Sequence, residues 1–218
     1  MPYSNIRKLS LSGWLQSNDV ASYCLSLKLQ KFFFFYEALS KVANDNPDFT
    51  FLKGYKRGPV FSSVWGDYTK ERKEFDRASL EAYNLNCKAI NEQRARRADF
   101  IVSSLSENEL SKLTHQFNIW KVKSNRIMDG EQQVELQEKD FTEEDCKIVR
   151  LLEVMYPDEM INDSVVVPTC GKYFIFAKKD LEKFTEEHMD TLVALAKNED
   201  LQNPVFIEID ETGRLCVD

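Results

Sequence analysis

The chain has 218 residues, 43% of them hydrophobic and 30% charged, with a net charge of −7. That is enough apolar material for one large domain or for a domain with a smaller companion, and it excludes general disorder. Seven glycines and six prolines exclude collagen-like or linker-dominated architectures and leave little for a glycine-rich phosphate cradle.

The longest apolar run, Phe32 to Tyr36, is far below the ~20 residues of a bilayer span. The first residues carry Arg7 and Lys8 but no following apolar stretch of a secretory signal, so the expectation is a cytoplasmic protein without a membrane partner. Five cysteines without a CxxC pair argue against a disulfide framework or a zinc ribbon and fit a reducing compartment. Residues 1–140 hold 21 Lys+Arg against 18 Asp+Glu, a net +3, whereas residues 141–218 hold 8 against 18, a net −10. The asymmetry is compatible with two units, the second facing a basic partner or simply presenting a solvated acidic surface.

In chain order, Asn18 to Val42 predicts a helix, with Leu25, Leu29, Phe32, Phe33, Tyr36 and Leu39 on one face. Phe34 and Phe35 widen the stripe until the helix is apolar nearly all round, as expected of a central, buried element. Asn44 to Pro47 ends it. A short extended stretch, Phe49 to Tyr55, leads into a turn at Arg57-Gly58, with Pro59 expected as the first residue of a helix through Val64, Trp65 and Tyr68 toward Phe75. A further helix is expected from Leu80 to about Leu105. Ser106-Glu107-Asn108-Glu109 has capping-box spacing and opens a helix carrying Leu110, Leu113, Phe117 and Trp120.

The polar segment 128–140, with its Asp129-Gly130 turn signal, is the expected junction between a unit spanning 1–127 and one spanning 141–218. The second begins with a helix from Thr142 whose stripe is Ile148, Leu151, Leu152 and Met155. A hairpin (Val165 to Pro168, Lys172 to Ala177) follows, then a helix from Glu186 to Asn198 with Met189, Leu192, Val193 and Ala196 inside, then a second hairpin (Pro204 to Ile209, Arg214 to Val217). The expected fold class is a mainly α N-terminal domain with a smaller α+β C-terminal unit ordered helix, hairpin, helix, hairpin.

Chemistry-bearing motifs are sparse. His115 and His188 belong to no metal-ligand spacing, and there is no GxSxG elbow, P-loop or GxGxxG, so no catalytic residue, metal or cofactor is assigned and a binding protein is expected. Lys56 and Arg57, hard to bury beside a turn, are candidate partner-binding residues, joined by His115 and Trp120. For His115 a hydrogen-bonded packing role is the plainer account, and Trp120 fits the edge of a core equally well. Lys88, Arg94, Arg96 and Arg97 form a short basic set that would serve a nucleic-acid-binding regulator, although no aromatic interleaving or docking motif accompanies it and a solvated helix face explains it too.

Three local patterns carry a resemblance. Leu27-Lys28-Leu29-Gln30-Lys31 is followed by aromatics; Tyr55-Lys56-Arg57-Gly58-Pro59-Val60 is followed by Ser63-Val64-Trp65; Leu110-Ser111-Lys112-Leu113-Thr114-His115 is followed by Trp120-Lys121. In order and approximate spacing, from Leu25 to about Lys121, these resemble the Panacea, or SocA-like, antitoxin domain of bacterial and phage toxin–antitoxin pairs. Tyr55 stands where that family usually has tryptophan, the Leu80 to Arg97 region is longer than in compact members, and residues 141–218 lie outside the match. The resemblance implies a helical scaffold that neutralises a cognate protein toxin, encoded by an adjacent gene, through direct binding, with partner choice set by variable surface and added segments. On that logic the acidic C-terminal unit is a candidate specificity element. The alternatives are a nucleic-acid-binding regulator and a phage-encoded inhibitor of a host protein; a homo-oligomer is compatible with all three.

Overall fold

A computed structural model describes residues 2–217. Helices dominate: α1 (Ile6–Asn18), α2 (Val20–Cys24), α3 (Ser26–Val42), α4 (Ser62–Lys70), α5 (Arg72–Asn86), α6 (Glu92–Ser103), α7 (Glu107–Thr114), α8 (Asn118–Lys121) and α9 (Ser124–Met128), then α10 (Glu143–Met155), α11 (Asp158–Asp163) and α12 (Glu186–Leu195). The strands are β1 (Leu52–Tyr55), β2 (Gly58–Phe61), β3 (Val134–Glu135), β4 (Ser164–Thr169), β5 (Lys172–Ala177), β6 (Val205–Ile209) and β7 (Leu215–Val217). The architecture is therefore mainly α, with a small sheet-containing C-terminal part.

Helix α3 is the axis of the fold, because a helix apolar on every face is stable only when neighbours cover it on every side. All side chains from Lys28 to Ser40 are buried. Phe32 stacks on Trp14 of α1 at 5.7 Å, Phe33 meets Phe61 of β2 at 6.0 Å, and Phe34 meets Phe117 at 5.0 Å. Helices α6, α7 and α10 pack against its remaining sides. Beside it α1 lies along α5, close enough at Gly13 that a Cβ there would stand 2.2 Å from the Ser79 carbonyl oxygen.

A buried ion cluster anchors α1 to α3. Glu37, fully buried, accepts hydrogen bonds from Lys8 Nζ (2.5 Å), Arg7 Nε (2.9 Å) and Nη2 (2.8 Å), and the Asp48 amide (2.9 Å). A buried carboxylate persists when every lone pair is engaged in this way.

Several expectations are corrected. No element is expected from the sequence before Asn18, yet α1 is there, capped by the Asn5 side chain on the Lys8 amide. The helix expected from Asn18 to Val42 is two helices, since Leu25 takes an extended conformation between α2 and α3. The helix expected over Leu80 to Leu105 is broken at residues 87–91, and Asn91 caps a new start at the Arg94 amide. Pro59 lies in β2 instead of opening a helix; in the order β2-β1-β3 that strand is an edge, where a missing N–H costs no ladder bond. The helix opened by the capping box at Ser106 and Glu109 forms as expected but stops at Thr114, and Trp120 belongs to α8.

The 128–140 segment contributes β3, which pairs with β1 through Lys53↔Glu135 and Gly54↔Val134. One hydrophobic core runs from α1 through α10 and α11 to Ile175, and a second gathers Phe174, Phe176, Leu192, Val205, Ile207 and Ile209. Asp145 in the first turn of α10 accepts bonds from the Thr142, Asn118 and Ile119 amides, tying α10 to the start of α8. On α10 the buried apolar residues are Val149 and Leu152, while Leu151 and Met155 are exposed, contrary to the expected stripe. On α12 Leu192 is buried and Met189 is exposed. The two expected hairpins exist but form one four-stranded sheet, β4-β5-β6-β7, because β5 and β6 pair in parallel across the α12 crossover.

Candidate functional site

The three motif segments, up to 94 positions apart in sequence, meet at one place. Strands β1 and β2 form a two-residue hairpin with Lys56 and Arg57 at its tip, closed by the pair Tyr55↔Gly58. Gly58 has φ +102°, a conformation that L side chains rarely adopt, and a Cβ there would stand 2.3 Å from Lys31 Nζ and 2.5 Å from Thr114 Oγ1. The glycine is thus the point at which the first, second and third motifs touch. Lys31 Nζ donates to the Pro59 carbonyl at 3.3 Å, and Gln30 Oε1 accepts from the Phe61 amide at 2.8 Å. From the third motif, Trp120 Nε1 donates to the Tyr55 carbonyl at 3.1 Å, and the His115 ring stacks on the indole at 3.8 Å.

Of the four candidate partner-binding residues, Lys56 and Arg57 are exposed, and Arg57 meets Glu107 at 3.3 Å. His115 is half-buried and Trp120 buried, so these two support the hairpin from behind. Burial and the nearby Lys31 ammonium push the His115 pKa down, with the Lys56 backbone opposing them.

Lys31 is 1% exposed and, among the described residues, has no ion pair; its pKa lies well below the ordinary lysine value because burial disfavours the ammonium and Arg57 adds like charge. Gln30 is 2% exposed, and its Nε2 has no hydrogen-bond partner among the described residues. Both residues line a cavity of about 520 Å³, walled by Leu27, Tyr55, Val60, Trp65 and Ile127 and rimmed by Lys56, Arg57 and Glu131. Neither Lys31 nor Gln30 is among the site residues expected from the sequence, although two long polar side chains beside the aromatic run of a helix apolar all round had to be buried with it.

The basic set does not gather into one free surface. Arg94 is buried and bonds to Ser40 Oγ (3.0 Å) and Asp45 Oδ2 (2.8 Å). Arg97 engages Asp158, Glu153 (3.6 Å) and the Tyr156 carbonyl (3.2 Å), Arg96 pairs with Glu92 at 3.0 Å, and Lys88 is exposed between α5 and α6.

A second cavity, of about 500 Å³, is lined by Asp19, Lys28, Asp99, Tyr173 and Lys178 among others. Asp99 Oδ1 there is buried without a hydrogen-bond partner among the described residues, and burial together with the neighbouring Asp19 raises the Asp99 pKa well above the ordinary carboxyl value. His188 is a cap: its Nδ1 accepts from the Thr185 amide at 3.1 Å at the start of α12. The five cysteines are free thiols, no group of three or more His, Cys, Asp or Glu side chains among the described residues is placed to hold a metal, and none of the described helices is long and apolar enough to cross a membrane. Comparison with protein-family models, curated proteins and solved structures gives no match.

Proposed function

We propose that this chain is an antitoxin of the Panacea-like class that neutralises a cognate protein toxin by direct binding, presenting the Lys56–Arg57 hairpin tip as part of the contact surface. The observation that carries the proposal is the convergence at Gly58: the residues that make the resemblance are neighbours in space, as expected if they form one structural unit. The plainer account, three unrelated packing motifs, gives no reason for them to meet at a hairpin whose two tip residues are cations facing solvent.

The acidic C-terminal segment supplies the charge complement of a basic toxin surface. Glu186, Glu187 and Asp190 on α12 are exposed and available for such a contact. Because α10 packs on α3, this part of the proposal is tested by charge substitution and not by truncation. Co-expression with the product of the adjacent open reading frame, scored for growth rescue and co-purification, tests the whole. Rescue with a stable complex is expected; a toxic neighbour that the chain neither rescues nor binds refutes the reading.

A further inference from the structure

We propose that the cavity beside Lys31 and Gln30 is a binding site for a carboxylate carried on an apolar body. The first support is the buried lysine. An ammonium taken from water is stabilised by a partner charge, whereas among the described residues Lys31 is held by a single long bond to the Pro59 carbonyl at 3.3 Å.

The second support is independent of charge. Gln30 is fixed through Oε1 on the Phe61 amide at 2.8 Å, which leaves its buried Nε2 as a donor with no acceptor in a residue that lines the same cavity. The amine of Lys31 and the free amide N–H of Gln30 belong to residues that line one cavity, and both are donors suited to carboxylate oxygen. The walls set the rest of the ligand: Leu27, Tyr55, Val60, Trp65 and Ile127 favour an aliphatic or aromatic body. A phosphate dianion fits less well, since at the buried end of the cavity only Lys31 and Gln30 oppose its larger desolvation cost, while the rim cations Lys56 and Arg57 face solvent and Arg57 is engaged by Glu107. With a carboxylate bound, Lys31 would be charged and Gln30 satisfied, so the ligand repairs both defects at once.

The carboxylate has two sources, a free small acid or the C-terminus of a partner chain. The test uses the full chain with lysine ε-carbons labelled for NMR. It is titrated with 3-phenylpropionate and the matched 3-phenylpropionamide, then with the peptide acetyl-Ala-Ala-Phe as free acid and as C-terminal amide. Saturable shifts of the Lys31 signal are expected with the acids and not with the amides, and Lys31→Met should weaken acid binding about tenfold or more, the loss of a hydrogen bond to a charged group. Tighter binding of the peptide acid assigns a chain terminus; equal or tighter binding of phenylpropionate assigns a free acid. Equal binding of acid and amide, or no shift at Lys31 with any acid, overturns the proposal, and both comparisons are made in the unsubstituted protein. Neither depends on whether the chain neutralises a toxin.

Discussion

Gly58→Ala probes the meeting of the motifs directly. Two costs combine. Holding a non-glycine residue at φ +102° costs about 1–3 kcal/mol. A Cβ at 2.3 Å from Lys31 Nζ and 2.5 Å from Thr114 Oγ1 must also displace buried atoms, at about 1–3 kcal/mol. The sum is roughly 2–6 kcal/mol, and at ~2–4 °C per kcal/mol for a chain of this size the melting temperature should fall by roughly 5–20 °C. Calorimetry and urea titration measure it. The same substitution in a Lys31→Met/Thr114→Ala background should retain the conformational cost and lose most of the steric one, a coupling of about 1–3 kcal/mol. A total loss below ~1 kcal/mol, or an identical loss in both backgrounds, would refute the reasoning.

Other outcomes follow from the same geometry. Glu37→Gln should destabilise by about 3–5 kcal/mol, because Lys8 and Arg7 lose their buried counter-charge, whereas Lys31→Met should be neutral or stabilising in urea titrations, since Lys31 has none to lose. Asp99 has its folded pKa raised, so the native state binds the proton more tightly and stability falls as pH rises from the ordinary carboxyl value near ~4 toward that raised pKa. Asp99→Asn should remove this slope and raise the melting temperature at pH 7–8 by a few degrees, on the order of 1 kcal/mol; an unchanged pH profile would contradict it. Lys56→Glu/Arg57→Glu should change stability by no more than ~1 kcal/mol, the scale of the exposed Arg57–Glu107 pair it removes, while weakening the partner complex in a titration.

Where the signal is local, the sequence was informative. The aromatic run of α3, the capping box at Ser106 and the β4–β5 hairpin follow from spacing and turn chemistry within a dozen residues. The errors arose where a choice is made by distant contacts. Pro59 suits a helix start and an edge strand equally, and only the pairing of β2 with β1 decides. Leu25 carries no breaking residue type, yet it turns the chain so that α2 and α3 can pack on each other. The parallel β5–β6 pairing joins segments separated by a helix, which no periodicity records. At the site, the exposed cations Lys56 and Arg57 could be named from their place at a turn. The cavity, the unpaired Lys31 and the free Gln30 amide required the fold, because a residue's lack of a partner is not written in its neighbours.

The central claim is direct neutralisation, and the most direct measurement is growth of cells expressing the neighbouring reading frame alone, with this chain, and with its Lys56→Glu/Arg57→Glu form, alongside size-exclusion chromatography of the purified pair. The account predicts toxicity of the neighbour alone, rescue and a stoichiometric complex with the unsubstituted chain, and loss of both with the charge-reversed hairpin. A harmless neighbour that forms no complex, or a toxic one left unrescued, would contradict it.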